Sequence, residues 1–289
     1  MFTIAGVTGN TGAVVATALL AAKAPVRVIV RDAAKAEAWR QRGAEIAVAD
    51  LSDRAALTAA LRGSAGAYLL VPPRLGSTQP LQENRAVADA LAAAVQAAAV
   101  PHVALLSSVG AQHADGTGPI RSVHYAEQVL SAVTSLTAVR AAYFMENWLA
   151  TAGAFAQGVV PTFVPADLSF PMVATRDIGN TAARALLEGP HGQTRIELSG
   201  PRSYSARDVA ALVSELLGKP AAATQVSELP LDAVVPTYTG FGISAAVAEL
   251  FREMYAGIRS GQVAWEGGSA RAMQGSVPLA DVLRPALRP

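Results

Sequence analysis

Short runs of apolar residues alternate with longer segments of mixed polarity along the first half of the chain. The runs are rich in Val, Ile and Leu, which is typical of strands buried on both faces of a parallel sheet. In the longer segments, apolar positions recur every three or four residues, as on one face of a helix. The predicted strands are the residues before Gly6, then 26–30, 45–49, 67–71, 102–106 and 136–139, and the predicted helices are 11–22, 33 onward, 52 onward, 81–99 and 120–133. This alternation predicts an α/β fold with a doubly wound parallel sheet of the Rossmann type.

The alternation becomes less regular after Thr151. The pattern there predicts loops at 158–161 and 164–167, helices at 177–187, 205–217 and 243–261, and a strand at 194–198. We therefore divide the chain into a Rossmann domain at 1–150 and a smaller α/β lobe at 151–289. The lobe is expected to cap the substrate, and part of 172–200 is expected to return to the Rossmann sheet.

Three glycines, Gly6, Gly9 and Gly12, lie between the first predicted strand and the first predicted helix. Gly6 allows a sharp turn, Gly9 lets backbone N–H groups approach a pyrophosphate, and Gly12 lets the helix pack close to the strand. The helix N-terminus stabilises an anion there. A glycine turn without a ligand is the alternative, but the strand–turn–helix context favours a bound dinucleotide. The other predicted contacts in this loop are Thr8, Asn10 and Thr11.

The end of the second predicted strand carries Arg31 and Asp32. NAD enzymes place an acidic residue on the ribose hydroxyls at this point, whereas NADP enzymes place an arginine on the 2′-phosphate. Because a guanidinium pairs bidentately with phosphate, Arg31 favours NADP(H) as the cofactor. Lys35 is a second, weaker contact, with a solvated helix face as its alternative. Asp32 is interpreted as the cap of the next helix, with a ribose contact as its alternative.

Further cofactor contacts are expected where other strands end, because ligands bind at the carboxyl edge of such sheets. Asp50 is a candidate for the adenine amino group, and a turn or cap role is its alternative. Ser107 and Ser108 follow the fifth predicted strand, where a hydroxyl can reach a nicotinamide or a substrate carbonyl. An ordinary loop role is their alternative. The remaining predicted contacts are Leu51, Val71 and Pro72.

Composition narrows the function classes. Of the 289 residues 52% are hydrophobic and only 16% charged, which argues against disorder. The net charge of +1 offers no basic patch for nucleic acid. The absence of cysteine excludes disulfides and thiolate metal sites. Neither a signal peptide nor an apolar run long enough for a membrane is found, so a cytoplasmic protein is expected.

The sequence lacks the usual groups for proton transfer to a ketone. Short-chain dehydrogenases use a tyrosine followed four positions later by a lysine, but Tyr125 is followed at that spacing by Val129. The four histidines lack carboxylate neighbours at ligand spacing, which argues against a metal. No Gly-x-Ser-x-Gly elbow supports a hydrolase. Hydride transfer without a tuned acid favours an acceptor that needs little protonation, such as a quinone.

An aromatic cluster opens the segment after the sixth predicted strand. It is predicted to begin a helix across the carboxyl edge of the sheet and to line a substrate pocket. Its members are Tyr143, Phe144, Asn147 and Trp148. The alternative for each aromatic ring is a place in the core at helical spacing.

Several of these segments resemble the NmrA-like family, the atypical short-chain dehydrogenases that include NADPH-dependent quinone oxidoreductases and redox-sensing regulators. The resemblance lies in Gly6-Val-Thr-Gly-Asn-Thr-Gly12, Arg31-Asp32, Ser107-Ser108, Arg140-Ala-Ala-Tyr-Phe-Met-Glu-Asn147, Asp177-Ile178, and the stretches at 200–205 and 218–220. It implies a Rossmann domain that holds NADP and is capped by a small α/β lobe, with the substrate between them.

The same resemblance points to the predicted helix 120–133 for a catalytic residue. Members often carry a lysine or histidine four residues before a glutamate in this helix. Here Val123 has that spacing and His124 lies three residues before Glu127. Two positions of His124 are left open, one near the nicotinamide and one on the surface at the start of the helix. His124 or Tyr125 is the candidate donor of a hydrogen bond to the developing oxyanion.

The leading interpretation is a reductase that passes hydride from NADPH to a quinone-like or other conjugated aromatic acceptor. The alternative is a redox sensor that binds NADP and a protein partner without catalysis. A metal, a nucleic acid and a membrane are not expected. A homodimer through an alanine-rich face is left open.

Overall fold

The computed structural model describes residues 1–287. Its strands are β1 (Phe2–Ile4), β2 (Val26–Val30), β3 (Glu45–Val48), β4 (Gly66–Leu69), β5 (His102–Ser108), β6 (Ser135–Ala141), β7 (Tyr143–Phe144), β8 (Val159–Thr162), β9 (Phe170–Val173), β10 (Gln193–Ser199), β11 (Ser203–Tyr204), β12 (Gln225–Glu228) and β13 (Arg271–Gln274). Its helices are α1 (Asn10–Ala21), α2 (Glu37–Gln41), α3 (Arg54–Leu61), α4 (Pro80–Ala97), α5 (Ile120–Ser131), α6 (Ala152–Ala156), α7 (Thr175–Glu188), α8 (Ala206–Leu216), α9 (Val234–Gly240), α10 (Ala245–Ser260) and α11 (Leu279–Leu287).

An eight-stranded parallel sheet forms the centre of the molecule, in the order β13-β10-β6-β5-β4-β1-β2-β3. The chain moves outward from β1 to β3 and then returns to the other side of β1 as β4. This reversal opens a crevice at the carboxyl ends of β1 and β4, which is where such sheets bind ligands. The predicted doubly wound Rossmann-type sheet is confirmed.

Helices cover both faces of this sheet and bury its apolar residues. Helices α1, α2 and α7 pack on one face through residues such as Leu19, Trp39 and Ile178. On the opposite face, α3, α4 and α5 pack through residues such as Leu61 and Leu91. Burial of these two layers is the main source of stability for the sheet.

The second half of the chain contributes both to the main sheet and to a smaller lobe. Strand β10 pairs with β6 over six residue pairs, and β13 extends the edge beyond β10. The hydrophobic pattern missed β13 because the side chains of this short edge strand are largely exposed. The lobe has the parallel pair β8 and β12, the small sheet β7-β9-β11, and helices α8 to α11 around its own cores.

The segment after β6 differs from the expected helix. Tyr143 and Phe144 pair with Met172 and Val173 as strand β7, and the chain then forms a 3-10 helix over Met145–Thr151. Sequence periodicity missed this strand because its partner, β9, lies about 30 residues further along the chain.

The lobe is tied to the loop that follows β4. Ser244 caps α10 by accepting a hydrogen bond from the backbone N–H of Val247, and its own backbone N–H donates to the carbonyl oxygen of Leu75 at 2.9 Å. Its hydroxyl also donates to the carbonyl oxygen of Ser77 at 2.5 Å. Helix α10 therefore has a fixed position beside the carboxyl edge. Within residues 1–287, no helix is both long and apolar enough to cross a membrane.

Candidate functional site

The glycine loop has the close backbone contacts that its spacing predicted. Gly6 has a φ of 70°, which L-residues rarely adopt, and its carbonyl oxygen accepts the backbone N–H of Gly9 at 2.9 Å. A Cβ on Gly12 would lie 2.4 Å from the carbonyl oxygen of Gly6. A side chain at position 12 would therefore push α1 away from the loop.

The N-terminus of α1 has the surroundings of an anion site. Gly9 occupies the cap position, and among residues 1–287 no side chain caps this helix end; its first turn also carries no acidic residue. Thr8 and Asn10 are exposed beside it. Its terminal N–H groups and positive dipole end therefore fit a pyrophosphate. Thr11 differs from its neighbours because it is buried and its hydroxyl accepts a hydrogen bond from Tyr68 at 2.8 Å.

Basic side chains stand on the β2 and β4 side of this loop. Arg31 and Lys35 are exposed, and Asp32 caps the following 3-10 helix by accepting the backbone N–H of Ala34 at 3.0 Å. Arg74, in the loop after β4, is a further cation that was not predicted, and it forms an ion pair with Glu83 at 3.8 Å. Exposed cations of this kind suit a phosphate, so the predicted contact of Arg31 and Lys35 with the adenosine half of a dinucleotide stays a prediction.

Asp50 lies at the end of β3 and forms a local turn. Its carboxylate accepts the backbone N–H of Ser52 at 2.8 Å and the Ser52 hydroxyl at 2.6 Å. These two hydrogen bonds hold the pKa of Asp50 below its usual range, and the charges of Arg74 and Arg31 act in the same direction. The geometry thus supports the turn role that was the alternative for Asp50, while an adenine contact stays a prediction.

The strand ends between the glycine loop and the lobe are partly accessible. Leu51, Val71 and Pro72 are half-buried. Ser107 is buried and donates its hydroxyl to Oε1 of Glu127 at 2.5 Å, so it is held inside the protein. Ser108 is half-buried and borders a cavity at the carboxyl end of β5. Of the two serines, Ser108 is the one that can meet a ligand.

That cavity has a volume of about 250 Å³ and is largely apolar. It lies between the end of β5, strand β7, helix α10, and the segments 168–171 and 261–265. We name it the apolar cavity. Its main side chains are Ser108, Tyr143, Phe170, Met254, Ile258 and Trp265.

The four predicted substrate residues have different surroundings. Tyr143 borders the apolar cavity, and burial raises its pKa to about 12. Phe144 packs against the core of the main sheet and Asn147 is exposed. Trp148 is buried in the lobe, and its indole N–H donates to Sδ of Met172 at 3.3 Å. The core alternative therefore describes Trp148 and Phe144 better than a place in the pocket.

The two predicted catalytic residues lie away from the apolar cavity. Nδ1 of His124 contacts the carbonyl oxygen of Ala111 at 2.7 Å, and the ring borders a separate polar cavity of about 200 Å³. Tyr125 donates its hydroxyl to Asp89 on α4 at 2.8 Å and stacks with Arg85. Because neither side chain borders the apolar cavity, the geometry does not support proton donation by His124 or Tyr125 at that place.

A buried ionic network beside β6 was not predicted as such. Arg140 donates to both carboxylate oxygens of Glu127, at 2.9 and 2.7 Å, and to Glu266 at 2.5 Å. Glu197 accepts the backbone N–H groups of Glu266 and Gly267 at 2.7 and 3.0 Å. The network fixes the 266–267 turn against β6 and β10, immediately after Trp265 of the apolar cavity.

The cavity-forming residues of the lobe were missed because they come from three distant segments. Met254 and Ile258 belong to the apolar stripe of α10, which alone predicts only packing. Phe170 and Trp265 lie in segments with no motif of their own. The sequence does contain one indication of the cavity, because Trp265 is a large aromatic residue in a polar, glycine-rich stretch.

The parts together describe a site along one sheet edge. If a pyrophosphate binds at the glycine loop and the adenosine lies toward Arg31, the other half of a dinucleotide must extend toward β4 and β5. The apolar cavity lies on that side. Among residues 1–287, no three His, Asp or Glu side chains are grouped as a metal site requires.

Comparison with known proteins agrees with this arrangement. The sequence profile of the NmrA-like family matches residues 1–260. An NAD(P)H azoreductase of Xenophilus azovorans is 28% identical over 260 residues, which are 89% of this chain and 86% of the relative. Quinone oxidoreductase 2 of Escherichia coli strain K12 is 27% identical over 267 residues, 90% of this chain and 89% of the relative.

A solved structure shares the whole fold. The crystal structure of an NADPH-dependent quinone oxidoreductase from Escherichia coli, complexed with NADPH, superposes with a TM-score of 0.83 at 23% identity and covers 100% of both chains. The profile match and the shared fold both extend over the glycine loop, the sheet and most of the lobe. This chain therefore belongs to the NmrA-like family.

Proposed function

We propose that the protein is an NADPH-dependent reductase that passes hydride to a quinone-like or other conjugated aromatic acceptor. The observation that carries this proposal is the apolar cavity, which adjoins Ser108 at the same sheet edge as the glycine loop. The relatives support it, since one is named as an azoreductase and another as a quinone oxidoreductase, and the superposed structure contains NADPH.

The residues of the chain have separate tasks in this proposal. Gly6, Gly9 and Gly12 admit the pyrophosphate to the end of α1, and Arg31 pairs with the 2′-phosphate. When bound, NADPH supplies the hydride. The aromatic and aliphatic walls of the apolar cavity exclude water and orient a flat acceptor.

The acceptor needs little acid from the protein. A quinone, NADPH and one proton give a hydroquinone and NADP⁺, because the hydride comes from NADPH. The hydroquinone anion left by hydride transfer is stabilised by its ring, so solvent can supply the proton. The hydroxyls of Ser108 and Tyr143 at the cavity act as neutral hydrogen-bond donors. Burial raises the pKa of Tyr143 to about 12, so this phenol stays protonated well above physiological pH.

A panel of quinones tests the proposal. Purified protein is mixed with NADPH and each quinone, and the absorbance of the reduced nicotinamide is followed. We expect an acceptor-dependent loss of that absorbance for at least one quinone. Tight NADPH binding without turnover across the whole panel would contradict the enzyme and would favour the non-catalytic sensor. A cytoplasmic location and a homodimer stay predictions.

A further inference from the structure

The apolar cavity differs from the rest of the carboxyl edge in its charge. Within the described chain, the side chains that border it include no Lys, Arg, Asp, Glu or His. Their polar groups are the hydroxyls of Ser108, Tyr143 and Ser169 and the indole N–H of Trp265. The exposed cations Arg31 and Arg74 lie on the β2 and β4 side, and Arg121, next to Ile120 of the cavity, forms ion pairs with Asp115 and Glu253.

Nearby charged residues are engaged elsewhere. Arg259, next to Ile258 on α10, is exposed and donates to the carbonyl oxygen of Phe163. Glu266, next to Trp265, is bound by Arg140. The charged side chains of Arg259 and Glu266 therefore contact other parts of the protein and do not enter the cavity, so the walls of the cavity are neutral.

A neutral cavity of this size selects its ligand by desolvation. An ionised group that enters an apolar site loses its hydration and gains no counter-ion, which is strongly unfavourable. An uncharged aromatic ring gains from the burial of its apolar surface. Since an apolar cavity of about 150 Å³ already holds benzene, the 250 Å³ of this cavity is enough for an acceptor of two fused rings.

We propose that the apolar cavity restricts the acceptor to uncharged aromatic molecules of about two rings, and that the wall formed by Met254, Ile258 and Trp265 sets this restriction. The proposal rests on the proposed function, because it assumes that the acceptor binds in this cavity. It adds the class of acceptor and the residues that discriminate. Anionic acceptors, such as sulfonated quinones, are excluded because the cavity offers them no cation.

The experiment compares 1,4-naphthoquinone with 1,4-naphthoquinone-2-sulfonate. The sulfonate withdraws electrons and makes the second compound the stronger oxidant, so driving force alone would favour the anion. We expect kcat/KM for the neutral quinone to be higher by about 100-fold or more, as an uncompensated charge in an apolar site implies. Comparable kcat/KM values would overturn the inference while leaving the reductase in place.

A positive charge introduced at Met254 tests whether this wall sets the preference for the neutral quinone. Met254 is half-buried and has a flexible side chain of nearly the length of lysine. Met254→Lys should reduce the preference for the neutral quinone by about 10-fold or more, because the ammonium pairs with the sulfonate. Met254→Gln is the matched uncharged control, and Ala211→Lys, on the exposed face of α8, adds the same charge outside the cavity. An unchanged preference in Met254→Lys, or an equal change in Ala211→Lys, would show that the wall does not set it.

Binding without turnover separates this inference from the proposed function. With 1,4,5,6-tetrahydro-NADP present, whose nicotinamide ring is uncharged and cannot transfer hydride, each quinone is titrated against the tryptophan fluorescence of the protein. The Trp265→Phe variant shows how much of the quenching comes from the cavity. Selective quenching of Trp265 by the neutral quinone is the expected result. That result together with no reduction of any quinone would reject the reductase but keep the selective cavity. Equal quenching by both compounds would reject the selectivity.

Discussion

At the scale of single residues, Arg31 provides the sharpest test of cofactor choice. It is exposed at the end of β2, where its guanidinium can pair with a 2′-phosphate but has no such partner in NADH. We expect Arg31→Ala to weaken NADPH binding by roughly 10- to 100-fold, as the loss of a charged hydrogen bond implies. NADH binding should change little. Titration calorimetry with both cofactors measures this, Lys35→Ala serves as the milder comparison, and equal losses for both cofactors would show that Arg31 does not recognise the phosphate.

Single residues also show where sequence reasoning reaches its limit. The cap role of Asp32 was predictable because the group it accepts from lies two positions away. The pairing of Thr11 with Tyr68 was not, since 57 residues separate them and only the fold brings them together. Tyr125 presents the same difficulty. Its position on the helix was predicted, but the orientation of its hydroxyl toward α4 depends on how α4 and α5 pack.

At the scale of elements, the buried network of Arg140 joins β6 to α5 and to the 266–267 turn. Burial alone would lower the pKa of Arg140, because it disfavours the charged guanidinium. The hydrogen bonds and charges of Glu127 and Glu266 outweigh burial, so the pKa of Arg140 is raised. We expect Glu127→Gln to lower the free energy of unfolding by about 3 kcal/mol, because the buried guanidinium loses most of its compensation. Urea unfolding measures this. Glu37→Gln, which breaks the exposed pair with Arg40 in α2, should cost less than about 1 kcal/mol, and similar losses in both variants would contradict a special role for the network.

The predictable elements are those whose apolar faces are long and continuous. Strands β2 and β5 and helices α1, α4 and α10 were predicted near their observed bounds. Both faces of the sheet are covered, α4 and α10 each have a regular apolar stripe, and α1 is a nearly continuous apolar run. Strands β7, β9 and β11 have only two to four residues each and are stabilised by partners far along the chain. Local periodicity carries no information about such pairs.

At the scale of the whole molecule, the main sheet and the glycine loop could be predicted, whereas the apolar cavity could not. The loop is one continuous stretch with a defined spacing, so its chemistry is visible in the sequence. The cavity is assembled from β5, β7, α10 and the turn before β13, and its lack of charge is a property of the assembly rather than of any segment. The lobe therefore contributes what local sequence patterns do not show, namely the shape and polarity of the apolar cavity.

The same lobe makes the molecule sensitive to high pH through a cluster of phenols. The hydroxyls of Tyr238 and Tyr255 are 2.9 Å apart. Burial raises the pKa of Tyr255 well above its ordinary value and that of Tyr143 to about 12. The folded protein keeps these phenols neutral, while the unfolded chain ionises them near pH 10. Their contribution to stability is therefore complete below about pH 10 and is lost as the pH rises toward 12, by up to about 1.4 kcal/mol per pH unit for each phenol. Urea unfolding between pH 8 and pH 11 should show this decline in the free energy of unfolding. A Tyr143→Phe, Tyr255→Phe double variant should show a shallower decline, because phenylalanine does not ionise. If stability falls with pH equally steeply in both proteins, the cluster is not the cause.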